Sequence, residues 1–460
     1  MRANPADYEL VAPGSLPAVL SLMAGEPGAW LPIAGGTDVM VQYSAGKLSA
    51  HKLVSVWNLP ELRGVEVSED EIQIGAGRTY TELRKHEVVA REFPLLASAA
   101  RWTGGIANQN RGTIGGNIVN ASPAADSLPA LLAYEAELIL VSVRGERRVP
   151  YTDFHVDYRK TRLAPDELIQ SIRLKRRFSG YYAHARKVGP RSAQAISKVC
   201  LAALGKLANG AIGDIRLAMG SVAPVPLRLS ATEQALRGKR IDRSLIELAK
   251  TTIASEVRPI DDIRSTTRYR AAVAGNLMAE FLERLSETGA KNSVLARWNE
   301  LELEKAAEDI LPCCGSKVWA RGMAERRPIH HENALLTAHN DVCRRLSESD
   351  WVEAFRSHPR IGESHAPASA APRSAAWSGE EQQRVTTAGG DVKIALAEGN
   401  RAYENRFHRI FIVCAAGKSP AELLEILQRR LRNDEKREFE EAAEQQRQIA
   451  QLRLKKWLHS

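Results

Sequence analysis

The sequence predicts a multidomain protein in which an α+β part is followed by an all-α part. Over residues 1–288, short apolar runs of strand type alternate with amphipathic helical segments and glycine turns. From residue 293 onward glycine becomes sparse, and helical periodicity rich in Ala, Leu, Glu, Gln and Arg takes over. We therefore predict domains over 1–175, 177–288 and 293–460, with a linker at 289–292 in the polar stretch SETGAKN.

In the first part, the pattern predicts a helix in SLPAVLSLMAG and strands in WLPIAGG, HKLVSVWNL, LRGVEVSED and EIQIGAG. One helical stretch, TYTELRKHEVVAREFPLLASAARW, has Thr79 or Thr81 as its expected N-cap. The helix SLPALLAY and the strand AELILVSV follow. The second domain reads as strands with a glycine turn and then three helical stretches, and the all-α part ends in two long amphipathic helices.

Composition indicates an ordinary globular chain, with 44% hydrophobic and 26% charged residues among 460. No run of 18 apolar residues predicts a membrane span, and MRANPADYELVAPGS lacks the apolar core of a secretory signal. We therefore expect a cytoplasmic protein. The cysteines show no CxxC spacing, which predicts reduced thiols and no iron–sulfur cluster on this chain. They are Cys200, Cys313, Cys314, Cys343 and Cys414.

The net charge of +9 raises the question of nucleic-acid binding. The basic residues are interleaved with acidic ones, and no recognition motif with aromatic stacking positions is present. The charge is better explained by a solvated surface, or by a face for an acidic protein partner.

Two glycine-rich segments carry the chemistry of the first part. Residues 111–126 read RGTIGGNIVNASPAAD, and residues 31–38 read LPIAGGTD after a strand-like run. Glycine turns of this kind expose backbone N–H groups to phosphate oxygens, although a lone GG is more often a plain turn. Neither segment is a Walker loop or a GxGxxG motif. Two such turns about 80 residues apart suit a dinucleotide whose pyrophosphate lies between them.

In this order, AGGTD and TIGGNIVNASPAAD resemble the FAD-binding subunit of molybdenum hydroxylases, the medium subunit of xanthine dehydrogenase and its relatives. The resemblance covers about residues 1–288. It implies a PCMH-type FAD-binding domain of two α/β subdomains, followed by a CO dehydrogenase flavoprotein C-terminal-like α+β domain. The FAD contacts that it implies are Leu31, Pro32, Ile33, Ala34, Gly35, Gly36, Thr37, Asp38, Gly112, Thr113, Gly116, Asn117, Asn120, Asp126, Leu168 and Lys187.

Three of these residues also have a structural explanation. Asp126 is expected to accept from the adenosine ribose, or to cap the helix SLPALLAY, or both. By resemblance Lys187 lies beside the flavin ring, whereas a lone lysine is more often at the surface. Leu168 is expected either to pack on the isoalloxazine or to be a core leucine.

The resemblance implies electron relay by this chain and substrate oxidation by its partners. A large subunit would carry the molybdenum cofactor and a small subunit two [2Fe–2S] clusters, so we expect a hetero-oligomer. Reduced FAD would pass electrons to NAD⁺ or, in some members, to oxygen.

The helical part contains AFRSHPRIGE with His358, WSGEEQQ with Glu381 and Gln382, then RAYENRFHRIFIVCAAGKS and QIAQLRLKKWL with Arg453. In this order the motifs resemble 2-oxo-4-hydroxy-4-carboxy-5-ureidoimidazoline (OHCU) decarboxylase, an all-α enzyme of urate breakdown, over about 293–458. The resemblance implies catalysis by His358 and Glu381 and formation of (S)-allantoin. The substrate contacts that it implies are Gln382, Arg453, Pro359, Phe411, Ile412, Val413 and Cys414.

Some residues of this part have plainer explanations. A lone histidine is usually structural, and Arg453 alone would be read as a helix arginine paired with a glutamate. His408 departs from the family, in which glycine is usual at that position. His330 and His331 are adjacent and point apart on a helix, so we interpret them as surface residues and expect no metal site.

Three hypotheses remain at this stage. The chain is a bifunctional purine-catabolic protein, with xanthine or hypoxanthine as the holoenzyme's substrate. Alternatively, it is the FAD subunit of an aldehyde, carbon monoxide or aromatic hydroxylase with a helical interaction module. The third hypothesis is a scaffold that has lost FAD, against which the intact glycine motifs argue.

Overall fold

The computed structural model describes residues 4–191, 194–360, 377 and 390–459. The chain divides into two compact units, Met1–Ser286 and Glu287–Ser460. Among the described residues, no helix combines the length and the apolar character needed to cross a membrane.

In its described residues the first unit combines four sheets with helices, as the alternation of strand-like and helical patterns predicts. Its strands are β1 Glu9–Val11, β2 Trp30–Ile33, β3 Lys52–Ser55, β4 Val65–Val67, β5 Glu71–Gly75, β6 Glu137–Ser142, β7 Gly145–Pro150, β8 His155–Asp157, β9 Lys160–Thr161, β10 Leu168–Lys175, β11 Tyr182–Val188, β12 Val199–Ala208, β13 Ala211–Gly220 and β14 Leu227–Arg228. Its helices are α1 Leu16–Gly25, α2 Val39–Ser44, α3 Tyr80–Lys85, α4 Glu87–Glu92, α5 Pro94–Trp102, α6 Ile106–Arg111, α7 Ile114–Asn120, α8 Leu128–Ala133, α9 Ser230–Leu236 and α10 Arg243–Glu256.

The sheets of this unit differ in their strand arrangement. A parallel sheet has the order β1-β3-β2, and an antiparallel one the order β4-β5-β10-β6-β7. The second predicted domain is built on an antiparallel sheet of order β11-β12-β13-β14, while β8 and β9 form a small pair. Alternating apolar residues such as Ile72 and Ile74 on β5 are fully buried, so the strand pattern reflects a one-sided core.

The predicted helical stretch 79–102 is three helices, α3 to α5, instead of one. Thr79 caps the first helix, and its side chain and that of Glu82 form a reciprocal capping box. Pro94 begins the third helix, because proline lacks the N–H that a helix interior requires.

The second unit is helical. Its helices are α12 Leu303–Ile310, α13 Lys317–Ala324, α14 Glu332–Cys343, α15 Glu348–Arg356, α16 Gly390–Phe407, α17 Pro420–Arg430 and α18 Glu435–Trp457. Trp298, Trp319 and Trp457 are fully buried within its main core.

The residues predicted as a linker, 289–292, are helical in the structure. They lie inside α11 (Thr267–Glu300), which runs through the division between the two units. The stretch contains Gly289 but no proline, and one glycine costs a helix only about 1 kcal/mol, so the helix continues.

His408, the departure noted above, follows α16 with a φ of 52°. Its amide donates to the Glu404 carbonyl at 2.9 Å, so it ends the helix in the left-handed conformation. Glycine adopts this conformation without steric cost.

We therefore expect His408→Gly to raise the free energy of unfolding by up to about 1 kcal/mol, because it removes the left-handed strain. Denaturant unfolding of the full chain measures this change, in the transition that belongs to the helical unit. His408→Ala keeps the strain and serves as the control. If the glycine variant is no more stable than the alanine variant, the residue is not strained in solution.

Candidate functional site

The two glycine-rich segments of the first unit lie in contact. A Cβ atom at Gly35 would come within 1.7 Å of the Arg111 carbonyl oxygen, so only glycine allows this approach. The Arg111 guanidinium donates to the Gly35 carbonyl at 3.5 Å and stacks on Trp57, 4.0 Å from the ring centroid. Glycine at position 35 therefore allows the end of β2 to contact the segment before α7.

The second segment is a capped helix and not the glycine turn that we expected. Thr113 is the N-cap of α7, and its hydroxyl oxygen accepts from the Gly116 amide at 3.2 Å. Ile114 and Ile118 are fully buried one turn apart, and this burial favours the helix over a loop.

A cavity of about 1660 Å³ is lined by both segments. It exceeds the roughly 300–1,000 Å³ typical of small-molecule pockets and suits a dinucleotide. Most of the predicted FAD contacts line it, whereas Ile33 and Lys187 do not. The predicted residues that line the cavity are Leu31, Pro32, Ala34, Gly35, Gly36, Thr37, Asp38, Gly112, Thr113, Gly116, Asn117, Asn120, Asp126 and Leu168.

Beyond the end of β2, a row of backbone amides remains unpaired. The amides of residues 34–37 donate no hydrogen bond to any other residue that the structure describes. β2 is an edge strand of its sheet, and Gly36 has a φ of +74°, which turns the chain after the strand. Successive amides in such a turn form a concave site for an anion. The size of the cavity and these amides fit the pyrophosphate of FAD.

Asp126 and Lys187 form a buried pair, which corrects the expectation of a helix cap. Ser127, not Asp126, is the N-cap of α8. The Asp126 carboxylate accepts from the Lys187 ammonium at 2.6 Å and from the Ser197 hydroxyl at 2.5 Å. Burial raises the pKa of Asp126, and Lys187 opposes this shift. Lys187 also donates to the Trp102 carbonyl at 3.1 Å, so it is not a surface lysine.

Leu168 is a core leucine, as one of its two explanations predicts. It begins β10, is 7% exposed and packs in a hydrophobic cluster with Trp30 and Val54. It also lines the cavity, where its apolar side chain is available to a planar ring.

In the helical unit, His358 lies just beyond α15 and is buried. Its amide donates to the Phe355 carbonyl at 3.1 Å. The Nε2 atom of the ring has no hydrogen-bond partner within the described part of the chain. Burial lowers the pKa of His358 well below its ordinary value, and the charge of Arg453 lowers it further, while the Gln446 side chain opposes them. The ring is therefore neutral at pH 7.

Gln446 is a polar residue of this site that the sequence analysis missed. Gln446 and Arg453 are both fully buried, seven residues apart on α18, and so lie on the same helix face. The Gln446 side-chain amide donates to the Cys314 carbonyl at 2.9 Å. The sequence contained a sign of this burial, because Gln446 and Arg453 both fall in the apolar stripe of the helix that includes Ile449 and Leu454.

Residues 411–414 are predicted substrate contacts, and two of their main-chain groups already bind other residues of the protein. The Ile412 carbonyl accepts from Arg430 at 2.6 Å, and the Cys414 amide donates to the Gln445 side chain at 2.9 Å. All four residues of the segment are buried, and they are Phe411, Ile412, Val413 and Cys414.

The other predicted residues of this unit have different outcomes. Pro359 is half-buried beside His358. Glu381 and Gln382 lie outside the described residues. His330 and His331 are exposed, which confirms their interpretation as surface residues, and the His331 ring accepts from the Ala334 amide at 3.1 Å as the N-cap of α14.

Three family models match successive parts of the chain. The FAD binding domain in molybdopterin dehydrogenase matches residues 6–174, the CO dehydrogenase flavoprotein C-terminal domain matches 184–285, and OHCU decarboxylase matches 299–455. These matches confirm the predicted fold class and both parts of the family resemblance.

Individual relatives agree with these matches. The xanthine dehydrogenase FAD-binding subunit of Escherichia coli O157:H7 is 33% identical over 258 residues, covering 56% of this chain and 88% of the relative. The uric acid degradation bifunctional protein TTL of Arabidopsis thaliana is 32% identical over 156 residues, 34% of this chain and 48% of the relative. A solved carbon monoxide dehydrogenase from Hydrogenophaga pseudoflava, which lacks the Mo-pyranopterin moiety, matches with a TM-score of 0.58 and 27% identity, covering 59% of this chain and 95% of that one.

Proposed function

We propose that this chain, which belongs to the family of FAD-binding subunits of molybdopterin dehydrogenases and also carries an OHCU decarboxylase domain, serves two steps of one purine-breakdown route. The first step is electron relay during oxidation of xanthine or hypoxanthine to urate. The second is conversion of OHCU, which forms from urate, to (S)-allantoin. The observation that supports the pairing is that one chain combines a dinucleotide-sized cavity with a buried His–Arg–Gln cluster.

In the first unit, the chain's own residues would hold FAD, which supplies the capacity to accept electrons and pass them on. The amides of residues 34–37 would bind the pyrophosphate, and Thr113, Asn117 and Asn120 would contact the phosphate and ribityl portions. Lys187 would act on the bound ligand through Asp126, to which it is paired.

We propose NAD⁺ as the electron acceptor, and a molybdenum-cofactor large subunit and a [2Fe–2S] small subunit as partners. The support for separate partner chains is that relatives such as the xanthine dehydrogenase FAD-binding subunit of Escherichia coli O157:H7 are FAD-binding subunits. Xanthine is preferred over an aldehyde, carbon monoxide or an aromatic compound because the second domain belongs to urate breakdown.

The purified chain alone is expected not to oxidise xanthine, and to do so once assembled with both partner subunits. Spectrophotometric assays of NADH formation with each assembly measure this. Xanthine turnover by the isolated chain would contradict the relay role. Turnover of an aldehyde or carbon monoxide in place of xanthine would support the alternative hydroxylase.

In the helical unit, we propose that neutral His358 accepts a proton from the substrate hydroxyl. Loss of CO₂ leaves the electron pair of the broken C–C bond on the imidazoline ring of the substrate, where a ring nitrogen takes a proton from water, and the imidazolium of His358 returns its proton to carbon on one face. Arg453 would bind the departing carboxylate, because a guanidinium matches its geometry. Glu381 would assist catalysis, while Gln382, Pro359 and the 411–414 segment would contact the substrate.

The pH dependence of OHCU decarboxylation follows from the lowered pKa of His358. The neutral ring is the reactive form, and a lowered pKa keeps it neutral to a lower pH. We therefore expect a constant rate from pH 8 down to below the ordinary imidazole value of about 6.5, and a fall only in more acidic solution. A pH–rate profile of the full chain, corrected for the spontaneous reaction, tests this. A fall centred at or above pH 6.5 would contradict it.

A further inference from the structure

Two buried polar atoms next to each other in the helical unit lack partners. His358 Nε2 and Gln446 Oε1 make no hydrogen bond with the described part of the chain. The two side chains are neighbours, because the Gln446 amide is held on the Cys314 carbonyl, and the next residue, Gly315, lies against Ser357, which precedes His358: a Cβ at Gly315 would come within 2.1 Å of Ser357 Oγ. Buried polar groups are nearly always satisfied, so a pair of complementary unpaired atoms calls for an explanation.

The orientation of the Gln446 amide is fixed. Its Nε2 atom donates to the Cys314 carbonyl at 2.9 Å, a role that only the NH₂ group can play. Oε1 is consequently the atom left over, and it can only accept. A fully buried side chain held in this way has little freedom to turn.

We propose that Gln446 is a positioning residue for His358: its Oε1 accepts the ring proton at Nε2 and leaves Nδ1 with the lone pair for proton transfer. A neutral imidazole has one donor and one acceptor nitrogen, and the partner of the donor selects the tautomer. This inference rests on the proposed decarboxylation, in which His358 exchanges a proton with the substrate.

Gln446 and Arg453 lie on the same helix and change the pKa of the His358 ring in opposite directions. The charge of Arg453 disfavours the imidazolium, and the Gln446 carbonyl favours it. Among the described titratable groups, Arg453 is the one whose charge acts on His358. Gln446 thus stabilises the protonated ring that the reaction requires after the first proton transfer.

Substitutions at Gln446 in the full-length chain separate this role from a packing role. Gln446→Leu is expected to lower kcat for OHCU about tenfold, the loss of one hydrogen bond to the reacting group, with little change in KM. It should also move the acidic fall of the pH–rate profile to lower pH. Gln446→Glu should move that fall to higher pH, because a carboxylate favours the imidazolium more strongly. Gln448 lies on another face of α18, so Gln448→Leu should leave both kcat and the pH of the acidic fall unchanged.

A packing role would reduce activity without moving the profile in opposite directions. If wild type makes (S)-allantoin but neither variant shifts the profile, the inference is wrong and the proposed function stands. If wild type does not accelerate the reaction, both the inference and the proposed decarboxylase function are wrong. A second measurement needs no substitution at Gln446: ¹⁵N spectra of wild type labelled in its imidazole rings show which nitrogen of His358 carries the proton. The His358 signal is identified by its loss in His358→Asn. A proton at Nε2 at neutral pH supports the inference, and one at Nδ1 overturns it.

Discussion

Replacing His358 with Asn is expected to slow OHCU decarboxylation by about a hundredfold or more while preserving the fold. Asparagine keeps hydrogen-bonding capacity and approximate size but cannot take up and return a proton, and general acid–base catalysis contributes about 10²–10⁴ in rate. The ring is buried beside Arg453, so a substitution that adds no volume should be tolerated. Initial rates with OHCU, and circular dichroism of the same preparations, measure the two effects.

Histidines of the same unit that lie at the surface provide the control. His330→Ala should leave the rate unchanged. His331→Ala should also keep the rate, and should cost about 1 kcal/mol of stability because it removes the cap of α14. If the His358→Asn variant is folded and has the wild-type rate, His358 does not take part in catalysis.

Replacing Gly116 with Val is expected to weaken FAD binding by roughly 10- to 100-fold, which corresponds to about 1–3 kcal/mol of overpacking. Gly116 lines the cavity, and its Cβ would already come within 2.9 Å of the Thr113 hydroxyl oxygen. A branched side chain would therefore disturb the cap of α7 and occupy the space of the ligand. Flavin absorbance and FAD titration of the refolded apoprotein measure the loss.

The matched control is Gly25→Val at the end of α1, where a Cβ meets no atom within 4 Å. This variant should bind FAD as wild type does. Normal FAD content in Gly116→Val would mean that the pyrophosphate and ribityl portions lie elsewhere.

Much of the fold follows from local patterns in the sequence. Thr79 was one of the two predicted N-caps, and the structure selects it because Glu82, three residues later, completes a capping box with it. The apolar alternation on β5 and the stripe on α18 predict their elements because burial imposes those periods. The glycines before α2 were recognisable, and the structure adds that Gly35 is required by contact with Arg111.

What the sequence could not reveal depends on long-range contacts. Asp126 and Lys187 are 61 positions apart, and neither residue type indicates that the two pair in the interior. Gln445, Gln446 and Gln448 lie in one polar run, yet only Gln446 is fully buried with an amide fixed on Cys314. The helical form of the 289–292 stretch was missed because glycine and polar residues are common to linkers and exposed helices.

The most direct test of the central claim, that one chain joins a flavin relay to a decarboxylase, is chiral chromatography of the allantoin that the FAD-containing full-length chain forms from OHCU. We predict an excess of (S)-allantoin, formed faster than in the spontaneous reaction and without added metal. Racemic allantoin at the spontaneous rate would contradict the account and would reduce the helical unit to a binding module attached to a flavin subunit.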